Sequence, residues 1–218
     1  MNVHSGTVPK CTSRPLAVHA CCGPCSLEPV WLLREEGWEP TIFWCNPNIQ
    51  PRAEHDRRLA TLQEWAAGEG IEVVVCADDR ALWERAVAPR GAAGAVGVTG
   101  EDRTDRCRAC YALRLAETAR QAKGLGFTAM TTTLAVSPYQ LHDVCDEALV
   151  AIARAHGLTP VVRDFRPYYP EATKRSRELG MYRQNYCGCR FSAAEAAVER
   201  QVRRDERKRA KREGRACI

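Results

Sequence analysis

Leu16-Ala-Val-His-Ala20, running directly into Cys21-Cys-Gly-Pro-Cys-Ser26, decides the fold. Five mostly apolar residues read as a short buried strand, and a Gly-Pro turn then leads into a helical pattern from about Ser26 to Glu36, which Gly37 ends. The same alternation continues downstream. Thr41–Cys45 reads as a strand stopped by N-P-N, Arg52–Ala67 as a helix, Ile71–Cys76 as a strand and Ala81–Ala88 as a helix. A Gly/Ala-rich stretch, A-P-R-G-A-A-G-A-V-G-V-T-G, follows without periodicity and is expected to form a mobile loop, a lid over a site. Beyond it come a helix over Cys107–Lys123, a strand over Ala129–Leu134, a helix over Gln140–Ala155 and a strand over Pro160–Asp164. A helical segment near Ala172–Leu179 and a long basic helix from Ser192 complete the chain. Strand and helix at such short spacing predict βαβ units, and so an α/β domain with about five parallel strands and helical insertions. Residues 1–15 are expected to be a disordered N-terminal segment, 16–192 the α/β catalytic domain and 193–218 a basic C-terminal helix or tail.

The chain has 218 residues, 45% hydrophobic and 27% charged, which is enough apolar material for one ordinary core. No apolar run reaches membrane-spanning length, and M-N-V-H-S-G-T-V-P-K lacks the apolar centre of a secretory signal. The expectation is a cytoplasmic protein with no membrane partner. The net charge of +5 is concentrated at one end. From Glu199 onward there are nine Lys/Arg and four Asp/Glu, while the other residues balance at 23 of each sign. That tail suits a polyanionic partner such as a nucleic acid, or else a solvated helix.

Twelve cysteines in a reducing compartment point to metal binding or redox chemistry rather than a disulfide framework. Seven fall into three motifs: C-C-x-x-C (Cys21, Cys22, Cys25), C-x-x-C (Cys107, Cys110) and C-x-C (Cys187, Cys189). Cys45, Cys76 and Cys145 read as small core residues, and Cys11 and Cys217 lie near the ends. The first motif follows strand one at the N-terminus of its helix, and the second is expected to open another helix. Both settings favour thiolate. Ligands in doubly wound sheets bind beyond the carboxyl ends of the strands, so the three motifs suggest one shared site. Seven thiols exceed a four-ligand zinc site. All-thiolate ligation suits zinc or an iron–sulfur cubane, with three thiols left for a second metal or a redox pair. Adjacent Cys21 and Cys22 could serve neighbouring centres.

H-A-C-C-G-P-C-S, N-P-N-I-Q-P-x-x-E, R-C-x-x-C-Y-x-x-R-L, T-T-T-L-x-x-S-P-Y-Q, D-F-R and Y-R-Q-N-Y-C-G-C-R-F-S occur in that order from His19 to Ser192. Together they resemble the cobalamin-independent epoxyqueuosine reductases, the QueH family. The resemblance implies a Rossmann-like, nucleotide-binding-like fold and a [4Fe–4S] cluster beside a mononuclear iron. It implies the last step of queuosine synthesis, in which the epoxide of epoxyqueuosine in a tRNA anticodon loop is reduced to an alkene. Cys21, Cys22, Cys25, Cys107, Cys110, Cys187 and Cys189 become the metal-binding set. Asp164, in D-F-R, is a candidate oxygen ligand or proton donor, set against a helix cap or a salt bridge with Arg166. His55 stands where the family commonly has tyrosine.

Deoxygenation takes two electrons and two protons, so acidic neighbours such as Asp164 or Tyr182 are needed, along with an unidentified electron donor. Asn46 and Asn48 could read a base or simply build the N-P-N turn. Ser137, Tyr139 and Gln140 follow strand four at the same edge, and Arg183 and Gln184 precede C-G-C, suiting a flipped base and its phosphate. Three other readings compete. An ATP-dependent sulfur-transfer enzyme would need a phosphate loop that Pro24 disrupts. A zinc-stabilised nucleic-acid-binding module would suit the tail but not the excess of thiols, and a thioredoxin-like enzyme would leave Cys21 and two motifs without a role.

Overall fold

The computed structural model describes residues 14–90, 100–138 and 140–216. Most of the expected lid loop, Tyr139, Cys11 and Cys217 therefore lie outside the described residues. Strands β1 (Arg14–His19), β2 (Trp38–Trp44), β3 (Val73–Val75), β4 (Ala129–Thr132) and β5 (Thr159–Pro160) form one sheet in the order β3-β2-β1-β4-β5. Every neighbouring pair is parallel. The chain builds outward from β1 to β3 on one side, then crosses back to place β4 and β5 on the other. Strand order therefore reverses between β1 and β4, which opens a crevice beyond their carboxyl ends.

A central parallel strand is covered on both faces and reads as a continuous apolar run, and Leu16 to His19 of β1 are all buried. On one face Ala17, Phe43 and Met130 pack with Tyr111, Leu115 and Ala119 of α4 (Gly100–Gly124) and with Ala148 and Leu149 of α5 (His142–Ala155). On the other, Leu16 and Val18 meet Leu33 of α1 (Leu27–Glu35), while Ile42 and Trp44 meet Leu62 and Ala66 of α2 (Arg52–Gly68). The remaining helices are α3 (Arg80–Ala86), α6 (Tyr169–Glu178) and α7 (Arg190–Ala216). Among the described residues no helix is long and apolar enough to cross a membrane.

Three elements differ from expectation in ways that matter. Helix α4 begins at Gly100, so Cys107 and Cys110 sit inside it rather than at its start. The residues E-D-R-T-D-R ahead of Cys107 carry no apolar stripe, yet charged residues extend a helix readily. Strand β5 is two residues long and lies at the sheet edge, where Thr159 N and Val161 N donate to the carbonyls of Thr128 and Met130 and Pro160, lacking an N–H, faces outward. Helix α7 starts at Arg190 and runs without a break through residue 192.

Candidate metal and substrate site

All three cysteine motifs converge on the carboxyl edge of the sheet. Cys21–Cys25 lies in the turn after β1, where Ser26 Oγ donates to the Cys22 carbonyl (2.9 Å). The C-G-C turn is fastened to the segment after β2, with Gln50 N donating to Gly188 O (2.9 Å) and Arg58 Nη1 to Cys187 O (2.9 Å). Gly188 has φ +139°, and a Cβ there would stand 3.0 Å from Ile49 Cγ1 and 3.1 Å from Asn48 Nδ2, so only glycine fits. Helix α4 brings in Cys107 and Cys110. Cys187 and Cys189 lie close enough to both to raise their pKa values electrostatically.

The low thiol pKa values expected from helix starts do not occur at Cys21, Cys22, Cys107 or Cys110. Burial pushes Cys107 to about 11 and Cys110 to about 12. Cys21 is raised by the hydrogen bond shared with the Cys22 thiol and then by burial, and Cys22 is raised by burial. Desolvation outweighs any helix dipole here, and Cys107 and Cys110 are not at a helix N-terminus at all. Metal uptake at these thiols must therefore release protons. Two cysteines expected to be isolated core residues, Cys45 and Cys76, are joined in a disulfide with Cα atoms 5.0 Å apart, at the ends of neighbouring β2 and β3. Cys145 is buried, as expected, but lies near Cys21 and Cys187 and is pushed to about 12, mainly by burial.

Among the described residues no three His, Cys, Asp or Glu side chains already sit in a metal-grasping arrangement. The surroundings nonetheless fit an anionic metal–sulfur group. Arg58, Arg106 and Arg114 are only 1%, 2% and 0% exposed beside the thiols. Arg106 Nε and Nη1, Arg114 Nε and Nη1, and both ends of the Asn48 amide are buried without a hydrogen-bond partner. The orphaned N–H donors among these, on Arg106, Arg114 and Asn48 Nδ2, match an acceptor such as thiolate or cluster sulfide. Trp83 Nε1 already donates to Cys110 Sγ (3.4 Å).

Several residues proposed from sequence occupy different roles. Asn46 is buried and engaged, donating to Ala20 O (2.8 Å) and accepting from Arg114 Nη2 (2.6 Å), so it positions other groups and is not free to read a base. Gln140 Oε1 accepts from Tyr111 Oη (2.7 Å) and lies 3.9 Å from Cys187 Sγ. Ser137 shapes the turn after β4, where Gln140 N donates to its carbonyl (3.1 Å). His55 turns into the core and accepts from Trp44 Nε1 (2.9 Å), away from any base-stacking position. Arg183 and Gln184 line a cavity of about 40 Å³ with Pro24, Cys25, Tyr169, Ala172 and Thr173. That is room for about three waters.

The two candidate acids differ sharply. Asp164 accepts from Arg166 N (3.0 Å), Nε (2.8 Å) and Nη2 (2.7 Å), and Arg166 holds its carboxyl down at about 2. It is an ionised turn cap near neutral pH, unable to give a proton. Tyr182 Oη donates to Glu54 Oε2 (2.7 Å), and burial and that carboxylate raise its pKa. Glu54 Oε1 in turn accepts from Arg58 Nε (2.7 Å), so a chain runs from the phenol to the C-G-C turn. Sequence reasoning missed Arg58, Arg106, Arg114, Trp83 and Glu54 as site residues. The signal for Arg114 was present: it follows Cys107 by seven and Cys110 by four, on the core-facing stripe of α4.

The family model described as epoxyqueuosine reductase QueH matches residues 16–195. An epoxyqueuosine reductase QueH of Dehalococcoides mccartyi is 30% identical over 180 residues, covering 83% of this chain and 93% of its own. Another, from Thermotoga maritima, is 30% identical over 183 residues, covering 82% and 90%. Among solved structures, a predicted subunit of tRNA methyltransferase from Methanocaldococcus jannaschii superposes with TM-score 0.51 at 12% identity, over 76% of this chain and 75% of that one. That likeness is one of fold.

Proposed function

Given that the chain belongs to the epoxyqueuosine reductase QueH family and is an oxidoreductase, we propose that it converts epoxyqueuosine in tRNA to queuosine at the cysteine site beyond β1 and β4. One observation carries this placement: thiols from all three motifs and three buried arginines meet at the reversal of strand order. The reaction joins the epoxide with two electrons and two protons to give an alkene and water. Cys21, Cys22, Cys25, Cys107, Cys110, Cys187 and Cys189 would hold a [4Fe–4S] cluster and a mononuclear iron. Those groups would supply one-electron transfers and Lewis acidity.

The chain's own residues do the rest. Arg58 fixes the C-G-C turn through the Cys187 and Tyr186 carbonyls. Tyr182 keeps its proton through the neutral range, and Glu54 sets the direction of its O–H. It is the group suited to protonate a leaving oxygen, with Arg183 and Gln184 at the mouth to meet the base. The exposed basic face of α7 would hold the tRNA backbone without regard to sequence.

Turnover of epoxyqueuosine-bearing tRNA under anaerobic conditions, with dithionite and a viologen mediator, tests the reading. Queuosine formed by wild type and absent in Cys22→Ser supports it. Equal conversion by both, with iron unchanged in the variant, contradicts it.

A further inference from the structure

Three buried arginines surround the thiols, and they are not equivalent. Arg58 is paired with Glu54 and Arg106 with Glu195, each at 2.7 Å. Arg114 has no such carboxylate among the described residues. Its Nη2 is held by Asn46 Oδ1 (2.6 Å), and Asn46 Nδ2 is tied to the carbonyl of Ala20, the residue before Cys21. The guanidinium is thus fixed between α4 and the end of β1, with Nε and Nη1 buried and unpartnered. The thiols of Cys21, Cys110 and Cys187, one from each motif, lie around it.

A buried cation with no counter-ion and two unmade hydrogen bonds is destabilising unless an anion arrives. Nearby hydroxyls and amides cannot neutralise it. Only the thiols, once ionised by metal, can. We propose that Arg114 is the positioning residue that compensates the charge of the iron–sulfur cluster and raises its reduction potential. The inference rests on the reading of the cysteine site as a cluster site. A thiolate-held cluster is an anion, and one-electron reduction makes it more negative. A fixed cation with two free N–H donors among the thiols therefore stabilises the reduced state more than the oxidised one. Arg58 and Arg106, each cancelled by its own carboxylate, contribute less to that difference.

The test is a mediated redox titration of anaerobically purified protein, with dithionite as the one-electron reductant and electron paramagnetic resonance as the readout. Wild type, Arg114→Lys and Arg114→Gln are compared. The midpoint is expected to shift downward in Arg114→Gln and to fall between the two in Arg114→Lys, which keeps the charge but not the planar fork. A merely structural role would move the unfolding midpoint without moving the potential. If Arg114→Gln takes up no iron, Asn46→Ala, which removes the guanidinium's anchor together with the bond to the Ala20 carbonyl, is titrated in its place and should shift the same way. An unchanged potential, in Arg114→Gln or in that replacement, overturns the inference. Labile sulfide missing from wild type would instead defeat the cluster reading itself, so the two failures are distinguishable.

Discussion

Gly188 shows what a single residue does for the site. Its φ of +139° and the 3.0 Å approach to Ile49 leave no room for a side chain. Gly188→Ala should cost about 1–3 kcal/mol of stability, read by chemical denaturation of the metal-free protein, and should displace the C-G-C turn. Iron content is expected to fall with it. Retention of full iron and stability would show that the turn is not held this tightly. Tyr182 makes a second prediction. Its phenol pKa is raised, and an acid acts while protonated, so activity should hold through the neutral range and decline only as pH rises through that raised pKa. Tyr182→Phe should lower turnover by about 10²-fold and remove the alkaline decline, with iron content unchanged. If the pH profile survives in Tyr182→Phe, the proton comes from elsewhere. Asp164 offers the contrast. The D-F-R motif left it between an oxygen ligand or proton donor and a cap or salt bridge with Arg166, and the structure shows the contacts of the second reading, from both backbone and side chain of Arg166.

At the scale of elements, apolar runs located the buried strands β1, β2 and β4 and the half-exposed β3, whereas β5 shares only Pro160 with the strand expected over Pro160–Asp164. The ends were less legible. Helix α4 extends seven residues beyond the expected start at Cys107, through a polar stretch in which nothing marks a boundary. That difference carried a chemical error with it, because thiols placed at a helix start were expected to ionise easily and instead sit within the helix, Cys110 buried and Cys107 half-buried. The seven metal-ligand candidates were readable from spacing, whereas the disulfide between Cys45 and Cys76 was not. Those two residues directly follow adjacent strands, and only the β2–β3 pairing brings them together. Arg58 was hidden for the same reason, since its partners Tyr186 and Cys187 are more than 120 residues away. With Arg58 1% exposed and bonded to Glu54, Arg58→Met should cost about 3 kcal/mol in unfolding experiments, because Glu54 is left buried beside Tyr182 without its cation. A change within about 0.5 kcal/mol would show the pair to be solvated.

For the whole molecule, the clustered thiols and the exposed basic charge occupy two different regions. The sheet edge gathers thiols and buried arginines, while α7 leaves the body and is exposed from residue 199 to 210. Its base is tied to the site, since Glu195 accepts from Arg106 beside Cys107 and α7 begins immediately after Cys189. Nine Lys/Arg lie beyond residue 199. Deleting residues after 199 should flatten the dependence of log K for tRNA on log salt, by roughly 0.7–0.9 for each phosphate that the shortened chain no longer neutralises. An unchanged slope removes α7 from tRNA binding and leaves the sheet edge to do it alone. The claim on which the rest depends is that the three cysteine motifs hold a cluster and a separate iron. Iron and acid-labile sulfide, measured on protein purified without oxygen, address it most directly. Four sulfides and more than four irons per chain are expected, and zinc with no sulfide would contradict it.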